Sequence, residues 1–205
     1  MADGQSARED ASAAALVERL AAWIAGRRPL LFASLAPGAS ADALAHVSGV
    51  IGADLPRAFR ELYAWRDGEL ELYGLQGPWV WMPLERALGE RSTQQSLAAS
   101  GELSAAAWPD GALPFLDDGA GNFVCLDLRG DSNRSAGEVL RYDHEAGTSL
   151  RLHSSFAGWL ETLCEALESG LYPLVDDDGD ASREPTDEAA LQLLHAKLNP
   201  GYPRG

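Results

Sequence analysis

Hydrophobic residues recur at helical spacing through the first third of the chain. Leucine, tryptophan and isoleucine lie three or four residues apart over Ala11–Ala25, which predicts an amphipathic helix after a polar, frayed segment at residues 1–10. A second helix is predicted from a Ser40 cap to Gly52, because serine caps helix starts and glycine ends them. Pro56 fits the first turn of a third helix, so this third of the chain is predicted to be helical.

The hydrophobic period then changes to alternation, which is typical of strands. Apolar and polar residues alternate over Glu69–Leu75, and Trp79–Met82 follows a Gly-Pro turn, so two strands are predicted here. A helix is predicted over Pro83–Leu97. Further strands are predicted at Ala112–Leu116, Phe123–Leu128, Glu138–His144 and Ser149–His153. The last two are separated by a short Gly-containing turn and are expected to pair as a hairpin.

The clearest helical pattern follows these strands. Phe156, Trp159, Leu160, Leu163 and Leu167 fall on one face of a helix, which is therefore expected to cover the sheet. Beyond it, an acidic linker is predicted over 176–182 and a terminal helix over Pro185–Lys197. The pattern as a whole predicts a domain that combines helices with a sheet.

Composition favours one globular domain in the cytoplasm. The 205 residues are 46% hydrophobic, enough for one sizeable core. No run of about 18 apolar residues occurs, and the start lacks a basic region followed by an apolar run. Cys125 and Cys164 lie in a predicted strand and on a helix stripe, so two buried free thiols are expected.

The formal net charge of −15 disfavours anionic partners and favours basic ones. It repels phosphate backbones and anionic lipids, so neither nucleic acid nor a membrane surface is expected as a partner. The same charge speeds association with a basic protein. Lys197 is the one lysine among 16 Lys and Arg residues, a usage typical of GC-rich bacterial genes.

Two groups of carboxylates are candidates for chemistry. The run Asp176–Asp180 fails as a calcium loop, because aligning Gly179 to the turn position places Leu174 and Pro185 where carboxylates are required. Asp117, Asp118 and Asp127 flank a glycine turn and could form a hydrolase pair. Turn formation by Asp and Gly explains the same residues more simply, so a hydrolase is kept as the weaker alternative.

Other site signatures do not occur. The four histidines, His46, His144, His153 and His195, lie in different predicted elements without metal-ligand spacing. No nucleophile elbow, Walker loop or dinucleotide fingerprint follows a predicted strand. We therefore predict no catalytic residue, metal or cofactor. Four tryptophans outside the helical stripes, Trp65, Trp79, Trp81 and Trp108, are open to two interpretations, as binding residues or as large side chains at the sheet rim.

Short motifs in the middle of the chain carry a family resemblance. Leu55-Pro56, an aromatic helix and Asp67-Gly68 are followed by a denser block that includes Leu113-Pro114-Phe115 and Asp117-Asp118-Gly119. The residues that define the motifs are Leu55, Pro56, Asp67, Gly68, Trp108, Pro114, Asp117, Gly119, Gly121, Asp127, Gly137, Phe156 and Trp159. In order and spacing they resemble the SUKH superfamily, also called the Smi-Knr or cell-wall-assembly regulator family.

The resemblance implies a fold and a way of acting. It implies a single α+β domain with a central, mostly antiparallel sheet of about five or six strands and helices packed against it. The likeness covers 41–172; with the first helix the domain is expected over 11–172, followed by an acidic linker and C-terminal helix at 173–205. It implies no catalysis. Bacterial members are immunity proteins that bind and neutralise polymorphic toxins, often nucleases or deaminases, whereas fungal relatives regulate cell-wall synthesis.

The leading hypothesis is therefore an immunity protein that occludes a cognate protein toxin with a basic face. A regulatory scaffold of the cell-wall-assembly type is the alternative. Side-chain chemistry and position near strand edges select six partner-binding candidates: Glu69, Glu71, Trp79, Trp81, Asp117 and Asp118.

Overall fold

A computed structural model describes residues 2–104, 107–174 and 183–204, with side chains from Ser12 onward. The helices are α1 (Ala2–Arg27), α2 (Pro29–Ser34), α3 (Ala41–Ile51), α4 (Arg57–Trp65), α5 (Leu84–Ser100), α6 (Phe156–Glu168) and α7 (Glu188–Leu198). The strands are β1 (Leu35–Pro37), β2 (Arg66–Glu69), β3 (Val80–Trp81), β4 (Ala112–Asp117), β5 (Phe123–Asp127), β6 (Glu138–Asp143) and β7 (Thr148–His153). The α+β class is confirmed.

The strands pair antiparallel throughout the described part of the chain. β3 to β7 form a five-stranded sheet in sequence order, and β1 pairs with β2 in a separate two-stranded ribbon. The predicted hairpin is confirmed as β6 and β7, in which Tyr142 lies opposite Ser149. The order of β4 to β7 follows from the connections without helices between the predicted strands, whereas β3 reaches β4 through helix α5.

Side chains of the sheet alternate between two apolar layers. On β5, Val124 and Leu126 face the main core, whereas Phe123 and Cys125 face a smaller cluster with Trp108 and Tyr142. Helix α6 covers the main face, with the ring of Trp159 4.8 Å from that of Phe115 on β4. The predicted role of this helix as the cover of the sheet is confirmed.

Serine side chains cap the starts of α3 and α6, and the cap of α3 is the predicted Ser40. The Ser40 hydroxyl accepts a hydrogen bond from the Ala43 N–H at 3.1 Å, and Gly52 ends α3 with a φ of 71°. The Ser155 hydroxyl accepts from the Gly158 N–H at 3.1 Å at the start of α6. These local signals therefore determine where both helices begin.

The region between α4 and β3 departs from the prediction. The predicted strand over Glu69–Leu75 is wrong, because the ribbon strand β2 ends at Glu69 and residues 70–73 form a loop. Glu69 is 4% exposed, whereas Leu70 and Leu72 face solvent, the reverse of the pattern expected for a half-buried strand. The short elements α2 and β1 were also not predicted, since neither is long enough to show a period.

Both ends of the chain differ in extent from the predicted elements. Helix α1 begins at Ala2, before the predicted start at Ala11. Helix α7 packs against α6, and the Asn199 amide after it donates to the Leu152 carbonyl of β7 at 2.9 Å. The Arg204 N–H donates to the Arg151 carbonyl at 2.9 Å, so the end of the chain pairs with the edge of β7. The predicted linker over 176–182 falls outside the described residues, and the predicted domain division stays a prediction.

Candidate interaction surface

The six predicted contact residues do not share one exposed face. Glu71 is exposed, and Trp79 and Asp118 are half-buried. The other three lie inside the domain, since Glu69, Trp81 and Asp117 are 4%, 0% and 6% exposed. Buried side chains offer no surface to a partner. Glu69, Trp81 and Asp117 therefore lack the exposed surface that a contact residue needs.

Trp81 is a core residue of β3. Its ring lies 5.3 Å from that of Tyr63 in an edge-to-face contact and 6.3 Å from that of Trp65 in a stacked one. Such pairs stabilise aromatic cores. Trp108 is likewise buried, with its ring 5.3 Å from that of Tyr142. Both tryptophans therefore pack inside the domain and offer no exposed surface for binding.

Asp117 and Asp118 close the turn between β4 and β5. The Asp117 carboxylate accepts from the Gly119 N–H at 2.8 Å and pairs with Arg86. The Asp118 carboxylate accepts from the Ala120 N–H at 2.8 Å and from the Asn122 side-chain amide at 2.7 Å. The turn interpretation of these two residues is confirmed.

Asp127 lies at the other end of the same hairpin. Asp117 is opposite Phe123, whereas Asp127 is opposite Ala112, four residues further along β5 and so about 13 Å away at ordinary strand rise. Its carboxylate accepts from the Gly130 N–H at 2.9 Å and lies 3.4 Å from the Arg134 side chain. The three carboxylates are therefore not gathered into the pair that hydrolysis requires.

The residues that carry the family motifs stabilise the fold. Asp67 accepts from the Leu84 N–H at 2.8 Å at the start of α5. Gly68 has a φ of +79°, and a Cβ there would lie 2.4 Å from the backbone nitrogen of Pro83. Phe156 and Trp159 are fully buried in the main core. These four motif residues therefore have structural roles in the scaffold.

A buried charged pair that the sequence analysis missed holds the loop after β2. Arg28 is fully buried, and its guanidinium donates to the carbonyls of Gly74 at 2.7 Å and Tyr73 at 3.1 Å. The Glu69 carboxylate accepts from the N–H groups of Gly74 and Trp81, each at 2.9 Å. We call Arg28 and Glu69 the loop brace. Its only sequence signal is a charged residue next to the apolar run Pro29–Phe32.

Burial makes the Glu69 carboxyl group a weaker acid than an exposed glutamate. Burial raises the pKa of Glu69 to about 7, against the opposing effects of its two N–H donors and the Arg28 charge. Desolvation therefore outweighs the hydrogen bonds. A group of this kind perturbs stability near neutral pH.

Buried His153, half-buried His195 and the two buried cysteines have pKa values that burial shifts away from their ordinary values. His153 and His195 lie with ring centroids 4.8 Å apart, between β7 and α7. Burial and the neighbouring His195 ring lower the pKa of His153 to about 3. Cys125 and Cys164 are buried free thiols, as predicted, and burial raises the pKa of Cys164 to about 12. A thiol held protonated in this way is a poor nucleophile.

Neither a metal-ligand cluster nor a membrane-spanning helix occurs among residues 2–104, 107–174 and 183–204. In that part of the chain, no group of three or more histidine, cysteine, aspartate or glutamate side chains is arranged to hold a metal ion. Within the same residues, none of the helices combines the length and the apolar character needed to cross a bilayer.

Comparison with known proteins identifies the central part of the chain. The model of the SMI1 / KNR4 family (SUKH-1) matches residues 38–162, which is more than half of the 205 residues. The match starts before α3 and ends within α6, so it includes the whole five-stranded sheet. No curated protein matches the chain.

Proposed function

Because the chain belongs to the SMI1 / KNR4 family (SUKH-1), we propose that it acts by binding another protein and not by catalysis. More specifically, it is an immunity protein that captures a bacterial polymorphic toxin and blocks the toxin by occlusion. The match over residues 38–162 is the observation that carries this proposal. Family membership supports an immunity-type or regulatory domain. That the partner is a toxin is our own proposal.

The carboxylates of the turns support a binding role over hydrolysis. Asp117, Asp118 and Asp127 each accept hydrogen bonds from backbone N–H groups of their own turns. The alternative of a hydrolase built on these residues therefore has no geometric support.

The negative charge of this chain favours a toxin with a basic surface. A net charge of −15 on 205 residues gives the surface a strong negative potential. A toxin that acts on nucleic acid needs a basic groove, and an acidic protein that covers the groove excludes the substrate. We therefore propose a toxin with a basic face, and a nuclease or deaminase has one.

Co-expression with the polypeptide encoded beside this chain's gene tests the proposal. Expression of the neighbour alone should stop growth, and co-expression of this chain should restore growth and give a one-to-one complex. A complex without growth inhibition by the neighbour would favour the regulatory role instead. Failure of the two proteins to associate would contradict both forms of the proposal.

A further inference from the structure

The loop after β2 exposes two leucines with an acidic residue between them. Leu70 is 68% exposed and Leu72 is 79% exposed, and Glu71 is also exposed. We call residues 70–72 the leucine tip. Single exposed apolar residues are ordinary on protein surfaces, but two at this exposure within three residues are unusual. Desolvation of both side chains would favour association with an apolar pocket.

One backbone hydrogen bond and the loop brace hold the N-terminal side of the leucine tip. The Leu70 N–H donates to the Ser34 carbonyl at 3.1 Å, which ties the tip to the end of α2. The loop brace lies immediately below, where Arg28 and Glu69 bind opposite sides of Gly74. At Gly74 a Cβ would lie 2.2 Å from the Gly77 carbonyl oxygen, so the backbone turns tightly between these two residues.

The second side of the loop is tied to the main core. The Trp159 indole N–H donates to the Gln76 side-chain oxygen at 3.0 Å. The Gln76 amide in turn donates to the Tyr172 hydroxyl at 2.9 Å. Both sides of the loop are therefore fixed while the leucines project into solvent. A preorganised contact of this kind loses little conformational entropy on binding.

We infer that the leucine tip is the main contact with the protein partner, and that it enters an apolar pocket flanked by a lysine or arginine that pairs with Glu71. This inference rests on the proposed function, since it names the surface through which capture occurs. The cation is inferred from Glu71 and from the overall charge of −15. The same charge and the acidic residue within the tip oppose insertion into an anionic lipid surface.

Site-specific photocrosslinking in the native cells tests where the partner lies. A benzoylphenylalanine replaces Leu72 in the full chain, and Leu193 on α7, which is 73% exposed, provides the matched control. The variant at Leu72 should give an adduct with the protein that co-purifies with the unmodified chain, and the variant at Leu193 should not. A co-purifying protein without an adduct at Leu72 would overturn the inference alone. Absence of any co-purifying protein would overturn the proposed function as well.

Affinity for the purified partner gives the second measurement. The double variant Leu70→Ser with Leu72→Ser should weaken binding by at least about thirtyfold, as for other buried apolar anchors, while Leu193→Ser changes binding less than about threefold. The unmodified chain, the double variant and Leu193→Ser should have equal urea midpoints, because the substituted side chains are exposed and contribute little to folding. Equal midpoints would verify that both variants fold. Unchanged affinity of the double variant overturns the inference. Binding of the unmodified chain to anionic phospholipid vesicles, lost in the double variant, would overturn it in favour of a lipid surface.

Discussion

Arg28 and Glu69 bind the same residue, Gly74, from its two hydrogen-bonding groups. The Arg28 guanidinium donates to the Gly74 carbonyl at 2.7 Å, and the Glu69 carboxylate accepts from the Gly74 N–H at 2.9 Å. Both side chains are buried, so the pair satisfies backbone groups that would otherwise be costly in the interior. The brace thereby fixes the loop that carries the leucine tip.

The raised pKa of Glu69 predicts a pH dependence of stability. The folded value of about 7 lies above the ordinary 4.5, so the contribution of Glu69 to folding is complete below pH 4.5 and is lost as the pH rises through about 7. The free energy of unfolding, from urea titrations between pH 4.5 and 8, should fall by roughly 3 kcal/mol relative to that of Glu69→Gln. Glu71→Gln, an exposed neighbour, is the control and should keep the slope of the unmodified chain. Parallel pH profiles for the unmodified chain and Glu69→Gln would contradict this account.

His153 should make the stability of the fold depend on pH in the opposite direction. Its pKa is lowered from 6.5 to about 3, so its stabilising contribution is complete above pH 6.5 and is lost as the pH falls through about 3. Histidine NMR spectra should show a neutral His153 ring at pH 5, with the resonance identified by its absence in His153→Gln. A protonation midpoint for His153 near 6.5 would show that the ring is solvated.

Two glycine substitutions should have opposite effects on stability. Gly68→Ala introduces a Cβ 2.4 Å from the Pro83 nitrogen at a φ of +79°, so it should lower the free energy of unfolding by at least about 3 kcal/mol. Gly49 lies exposed within α3 with no atom near its missing Cβ. Gly49→Ala should therefore raise stability by about 0.5–1 kcal/mol. Urea unfolding measures both, and a similar effect of the two changes would refute the role assigned to Gly68.

The two thiols should be unreactive in the folded protein. Cys125 and Cys164 are 1% and 2% exposed, and burial raises the pKa of both. Ellman's reagent should therefore label neither thiol at pH 8 within minutes and both in denaturant. Rapid labelling of one equivalent in the native protein would indicate an accessible thiolate.

Elements with a sustained period were predictable from the sequence. The apolar residues of α6 repeat over three turns, and β4 to β7 are separated by turns rich in Asp and Gly. These signals are local, so they do not depend on the rest of the chain. The fold class and the hairpin of β6 and β7 follow from them.

The loop after β2 was not predictable from the same signals. Alternation of Leu70 and Leu72 with acidic residues fits a strand equally well, and the deciding contacts come from Arg28, more than forty positions earlier. The burial of Glu69, Trp81 and Asp117 likewise depends on which way a short strand faces. Sequence spacing alone carries neither kind of information, so half of the predicted contact residues lie inside the domain.

The most direct test of the binding role is a titration of the purified chain with the polypeptide encoded beside its gene, followed by calorimetry. The account predicts a saturable one-to-one complex with a Kd below about 1 µM, and an affinity that weakens as NaCl is raised. The absence of binding heat and of a complex on gel filtration at micromolar concentrations would contradict the assignment of this chain as a protein-capturing domain.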